Sequence, residues 1–240
     1  MITRHHIALA LGSMLILYFP LVSTNIWALP AIALGVCTGA VLPDIQMKKP
    51  KTFRALSLAW MVTYVFKMTV LKVYLYLYRH IPGFSPRSED KRLTHSLPGL
   101  CLLSGMFGFI IILLTLLFPQ VAGIYYVKVF LAGIILGVLF HFTEDCCTKK
   151  GLCFLYPFDE RYRISGSIRP CNKDDCRIRR FHMLLCTGAV VVILINGGST
   201  FSPSLKWIAG VAALGVCMAL MIWFSDVAID GPSDVHEHAA

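Results

Sequence analysis

Charged side chains are scarce in this 240-residue chain, at 15% of the total against 57% hydrophobic residues and a mean hydropathy of +0.70. A soluble domain carries roughly 25% charged residues, so an ordinary soluble fold is excluded and an integral membrane protein is expected. Acidic groups are the scarcer sign, 13 against 22 Lys and Arg, for a formal net charge of +9. No repeat of fixed period and no low-complexity tract occurs. No small-x-small cleavage site follows the Met-Ile-Thr-Arg-His-His start, so the first apolar run reads as a retained helix rather than a signal peptide. Metal-ligand spacing is missing among the nine cysteines: Cys171-x4-Cys176 is irregular, and adjacent Cys146 and Cys147 are poorly placed to chelate one ion. With Cys153 these crowd the loop from 143 to 180, where packing, structural zinc and redox sensitivity all stay open, and disulfides there would place the loop outside the cell.

What the chain does contain is a set of apolar runs, Ile7–Trp27, Ala28–Leu42, Leu97–Phe118, Ala122–Phe142, Phe181–Ile195 and Trp207–Phe224. Most approach the roughly 20 residues that span a bilayer core. The second and fifth are shorter and need flanking residues or local thinning of the lipid to complete a crossing. Of the 22 basic residues, 20 lie in segments 1–6, 43–97 and 143–180; the exceptions are Lys128 and Lys206. Every acid lies there or after Phe224. By the positive-inside rule that side is cytoplasmic, with both termini on it. The segment Phe53–Arg79 is apolar but carries Arg54, Lys67, Lys72 and Arg79, a pattern suited to an interfacial or re-entrant helix. The fold class expected is therefore an all-α polytopic bundle of about six transmembrane helices plus one interfacial or re-entrant helix. It forms one domain over residues 1–225, followed by an acidic, flexible tail at 226–240 whose His236 and His238 are read as mobile.

Six metal-capable side chains sit where apolar runs begin or end: His6, Asp44, Asp90, His95, His141 and Asp145. A hairpin count brings all six to one face. Pro43-Asp44-Ile45 closes the second run. Thr94-His95-Ser96-Leu97-Pro98 opens the next, with Ser96 as helix N-cap and Pro98 tolerated in the first turn. His141 and Asp145, four apart, share a helical face and form a natural chelating pair. Each alone has a plainer account, as a capping or solvated group at the membrane interface. Imidazole with carboxylate suits zinc and admits manganese or iron at higher coordination number. Convergence of so many ionisable groups at the ends of spans points to function.

These pieces resemble a family of membrane-bound metal-dependent hydrolases inferred from sequence, the YdjM-like or LexA-regulated inner-membrane group. The matching residues are an N-terminal His (His5 or His6), Leu42-Pro-Asp-Ile45, Thr94-His-Ser96, His141-x3-Asp145, Thr148-x2-Gly151 and Tyr156-Pro157. They cover roughly residues 1 to 165. Two positions depart from the family pattern: Gln46 stands where a second acid is usual, and Asp90 where a His is usual. The family is in turn similar to the all-helical zinc phospholipase C and single-strand nuclease group. That resemblance implies phosphoester hydrolysis at one or two divalent ions, with Asp44 bridging, His141 and Asp145 on one ion, and His6, His95 and Asp90 on the other. Glu144 is then a supporting group or general base, and Asp44, Glu144 and Asp145 form the catalytic set.

Lys91, Arg92, Lys149 and Lys150 flank these positions, but basic loops are already required by topology and by anionic headgroups. Only Arg92 and Lys149 are assigned to substrate. The expected partner is membrane lipid, as environment and as phosphoester substrate reached from the inner leaflet. The charge does not argue for nucleic acid, and the sequence does not give the oligomeric state. A metal-ion or proton-coupled transporter and a non-catalytic, metal-stabilised scaffold are the alternatives. Neither broken helices nor inverted repeats are evident to favour transport.

Overall fold

The computed structural model describes residues 3–22, 25–46, 57–82, 84–87, 90–172, 175–198 and 202–231. The chain is mostly helical, with seven α-helices among the described residues: α1 Thr3–Val22, α2 Ala28–Val41, α3 Ser57–Tyr78, α4 Leu97–Leu117, α5 Ala122–Cys146, α6 Arg177–Gly198 and α7 Pro203–Trp223. Among the described residues, four stretches are long and apolar enough to cross a bilayer, Leu97–Leu117, Gly123–Cys146, Arg177–Asn196 and Pro203–Trp223. Their outward faces carry Phe109, Leu116, Leu194, Ile208 and Val216, all exposed. In water such a surface would drive association; against lipid tails it costs nothing.

The closest helix pair is α2 with α5, and glycine is the reason. Gly35 and Gly39 on α2 face Gly133 and Gly137 on α5. A Cβ at Gly35 or Gly39 would fall on the Phe130 or Ile134 carbonyl, and one at Gly137 on that of Val36. Two small-x3-small stripes thus let the backbones meet directly, which is how membrane helices associate when lipid offers no hydrophobic drive. On one side of this pair, α4 and the C-terminal half of α3 pack on α5 through Val70, Tyr74, Leu103, Phe107 and Ile134. On the other, α1, α6 and α7 pack together through Leu9, Ile16, Phe181, Leu185 and Met221.

In the part of α3 whose side chains are described, Val70, Tyr74 and Tyr78 are buried at helical spacing while Lys72, and Arg79 just after the helix, are exposed. The Tyr74 hydroxyl donates to the Gly99 carbonyl at the start of α4. Arg54, the Lys67 side chain and the tail beyond residue 231, with His236 and His238, lie outside the described residues.

The helical reading omitted a small sheet. Strands β1 Leu152–Leu155, β2 Asp159–Ser165 and β3 Ala228–Asp230 pair antiparallel in the order β1-β2-β3. Leu152 lies opposite Ile164, and Arg163 opposite Asp230. Gly151, in the left-handed region at φ 55°, turns the chain from α5 into β1. Its N–H donates to the Thr148 carbonyl, and a side chain there would strike the Ile164 carbonyl. Strand β3 falls inside the segment read from sequence as the start of the tail. Ser165 Oγ donates to Asp230 (2.7 Å) and Ser167 Oγ to Asp226 (2.9 Å), which fastens this segment to the end of β2 and the loop that follows it. The sheet lies against α5 through β2 and against α4 through β1.

Candidate metal centre

Four helix ends deliver the site. His6 stands in the first turns of α1; Asp44 follows α2 in a short 3-10 turn, Leu42–Gln46; His95 precedes α4; His141 and Asp145 lie in the last turns of α5. Local chemistry fixes each end. Ser96 caps α4 by accepting the Gly99 N–H, with Pro98 in the first turn, as the sequence implies. Thr94 Oγ1 donates to the Pro43 carbonyl at 2.8 Å, strapping the Pro-Asp and Thr-His-Ser segments together. His141 Nδ1 donates to the Ala40 carbonyl at 2.7 Å, one turn beyond the glycine contact of α2 and α5.

The donor atoms converge. His141 Nε2 lies 3.3 Å from His95 Nε2 and 3.3 Å from Asp145 Oδ2, and His95 Nε2 lies 3.5 Å from Asp145 Oδ2. Asp44 Oδ1 is 3.5 Å from His95 Nε2, and Asp145 Oδ1 is 3.5 Å from His6 Nε2. Donors about 2.0–2.1 Å from a tetrahedral ion are about 3.3 Å from one another, so these separations match the edges of a coordination shell. Two overlapping groups, His6, Asp44, His141 and His95, His141, Asp145, could hold an ion.

Proton placement points the same way. Each imidazole gives its Nδ1–H to an acceptor: His6 to Glu144 Oε2 at 2.6 Å, His95 to the Lys91 carbonyl at 3.0 Å, and His141 to Ala40. All three Nε2 atoms are thereby left as lone-pair donors aimed inward, the pattern of metal-bound histidines held from outside. The His6 and His141 rings stack with centroids 4.0 Å apart, and His6 Nε2 is buried with no hydrogen-bond partner. Facing lone pairs in a buried site repel unless a cation lies between them, so the donor set fits a divalent metal.

Several sequence-based assignments change. His6 is the N-terminal His that joins the cluster; His5 instead approaches His182 at 3.5 Å. Asp90 was expected among the ligands, but both its oxygens are engaged elsewhere. Arg92 donates to Oδ1 and Oδ2, and Tyr156 to Oδ2 at 2.6 Å, with the guanidinium 4.4 Å over the Tyr156 ring. Burial opposes ionising Asp90, but the hydrogen bonds from Arg92 and Tyr156 outweigh it and hold its carboxyl below the usual carboxylate range. Burial and the Asp90 hydrogen bond push the Tyr156 phenol up. Glu144 is fully buried behind His6. The Gln46 side chain lies outside the described residues.

A cavity of about 410 Å³ opens in front of the cluster, lined by Asp44, His95 and Asp145 at its floor and by Lys91, Arg92, Lys150, Thr148, Cys153 and Arg163 around them. Lys149, assigned to substrate from sequence, is exposed outside it; its neighbour Lys150 lines the wall, and so do Lys91 and Arg163. All nine cysteines are free, and no cysteine joins a metal-capable group among the described residues.

A helical body built to cross a bilayer, with a buried His and Asp cluster at one end of its helices, defines an integral membrane protein carrying a candidate metal centre. The family model described as YdjM inner membrane protein matches residues 1–227, and the chain belongs to that family. No curated protein and no solved structure matches it.

Proposed function

We propose that this protein is a membrane-bound, metal-dependent hydrolase that cleaves a phosphoester of a lipid or other amphiphile at the cytoplasmic face of the membrane. The observation that carries this reading is the set of three inward Nε2 atoms and two carboxylates at coordination-shell spacing, open on one side to a cation-lined cavity. Six crossings, by α1, α2 and α4 to α7, account for the meeting of these particular helix ends. Lys and Arg crowd the loops on that side, which supports a cytoplasmic location.

The donors divide by position. His141 belongs to both candidate groups and offers one Nε2, which favours a single shared ion over two side by side. Nitrogen-rich ligation favours zinc, with manganese or iron as alternatives. A bound divalent ion would lower the pKa of a coordinated water to about 7 and polarise the phosphoryl oxygen. His6, His95, His141 and Asp145 are assigned as ligands. Asp44 lies on the cavity side, paired with Lys91 Nζ at 3.2 Å, and is assigned to accept the proton of the attacking water. Glu144, sealed from the cavity, positions His6. The cations of the cavity wall draw the phosphate to the metal side.

The test is metal analysis of purified protein and of His141→Ala and Asp145→Ala, followed by assays against phosphoester and acyl-ester lipids with and without chelator. Stoichiometric metal lost in both variants, with chelator-sensitive phosphoester cleavage, is expected. Unchanged metal content in both variants would remove the site.

A further inference from the structure

The four cations around the cavity are not equivalent. Lys91 is paired with Asp44, and Arg92 is held by Asp90 and by Glu160 at 3.0 Å. Lys150 and Arg163 have no carboxylate partner among the described residues. The Arg163 guanidinium donates to the Lys150 carbonyl, so the two residues are fastened side by side on the rim. They come from different elements, the turn after α5 and strand β2, and are brought together only because the hairpin folds back over the helix end.

Behind the floor the site is closed: His6, His141 and Glu144 are 0–1% exposed. A ligand can therefore approach end-on but cannot thread past the donors. Two uncommitted cations opposite a metal-type donor set match a group that carries close to two negative charges, as a terminal phosphate does at neutral pH (about −1.5 to −2). A phosphodiester carries one charge and would leave one rim cation uncompensated.

We propose that the cavity recognises a terminal phosphate monoester, with Lys150 and Arg163 as the specificity-determining pair. This rests on the hydrolase reading for its chemistry but not for its binding. In the reaction, the water oxygen forms a bond to phosphorus and the ester P–O bond breaks. The water proton passes through Asp44 to the leaving alkoxide, so the products are an alcohol and inorganic phosphate. A lipid phosphate and a soluble sugar or glycerol phosphate present the same group.

The experiment uses full-length, metal-loaded protein in detergent. Binding of inorganic phosphate is measured by calorimetry for the wild type, Lys150→Gln, Arg163→Gln and, as a control on the same strand, Arg161→Gln, whose partner is Asp159. Phosphate release is then measured from a monoester lipid in mixed micelles and from soluble glycerol phosphate, beside diester lipids. Each rim variant should weaken phosphate binding about tenfold, the loss expected for one charge-assisted hydrogen bond, and the control should not. Release from the micellar or the soluble monoester supports the proposal and identifies the source. Unchanged binding in both rim variants, or faster cleavage of diester, overturns it while leaving the metal hydrolase intact. Rim-dependent binding without cleavage of any ester supports phosphate recognition and removes the hydrolase reading instead.

Discussion

His95 and His141 aim their Nε2 atoms at one another across 3.3 Å, each with its Nδ1 proton committed to a backbone carbonyl. One residue comes from the loop before α4 and the other from the last turns of α5. Two neutral imidazoles arranged in this way repel. The Asp145 carboxylate, 3.3 and 3.5 Å from the same two nitrogens, adds further negative potential. A cation relieves both, and the outer hydrogen bonds keep the rings aimed for it.

Asp44→Asn separates ligation from proton transfer. If Asp44 accepts the proton, the variant keeps its metal within a factor of about two while turnover falls by about 10²–10⁴. Metal content and single-turnover hydrolysis measured on the same preparation decide it, and parallel loss of both would make Asp44 a ligand.

Glu144→Gln keeps an oxygen facing His6 Nδ1 but replaces the carboxyl acceptor by a weaker amide. Loss of such a supporting carboxylate weakens metal affinity about 10- to 100-fold. Competition with a calibrated chelator measures the change, and an unaltered affinity would place His6 outside the coordination shell.

Gly39→Leu should break the contact of α2 with α5, because its side chain would collide with the backbone at Ile134. Overpacking of this kind costs about 1–3 kcal/mol or more and should displace Ala40 from His141, lowering both the unfolding temperature in detergent and metal content. Gly105→Leu on α4, where a Cβ meets nothing within 4 Å, is the matched control and should leave both unchanged.

Asp175 clasps the start of α6. It accepts from Arg177 at 2.7 and 2.9 Å while Arg177 also donates to Ser167. The Arg177 hydrogen bond, against a smaller opposing effect of burial, holds the Asp175 carboxyl well below the usual carboxylate range. A carboxyl depressed in the folded state stabilises it above its unfolded value of about 4, and that stabilisation fades as the pH falls towards the folded value. Asp175→Asn should therefore cost about 1–2 kcal/mol at pH 7 and progressively less in acid. Urea titrations at pH 7 and pH 3 test the convergence.

Several residues of the candidate site are legible from residue types at run ends. Asp44, His95, His141 and Asp145 each stand at the junction of an apolar run and a polar loop, where an ionisable group is costly unless used. For Asp90 the sequence gives the side-chain type but not its partner, and Arg92, two residues on, donates to both its oxygens. Lys149 and Lys150 are adjacent, and only the turn held by Gly151 decides which one faces the cavity. The Gly35-x3-Gly39 and Gly133-x3-Gly137 stripes are legible in the sequence, and they name the helix pair whose ends carry Asp44, His141 and Asp145. Strand β3 was beyond reach: three residues carry no periodicity, and their partners in β2 lie more than 60 positions away.

Sequence alone determined that this chain is membrane-embedded and helical, and which side chains could bind metal, because hydropathy, run length and side-chain chemistry are local properties. Tertiary structure decided which donors meet, that His6 rather than His5 joins them, which nitrogen each imidazole presents, and which cations remain unpaired at the rim. Those depend on distances between residues as far apart in the chain as His6 and Asp145, and such distances are set by helix packing.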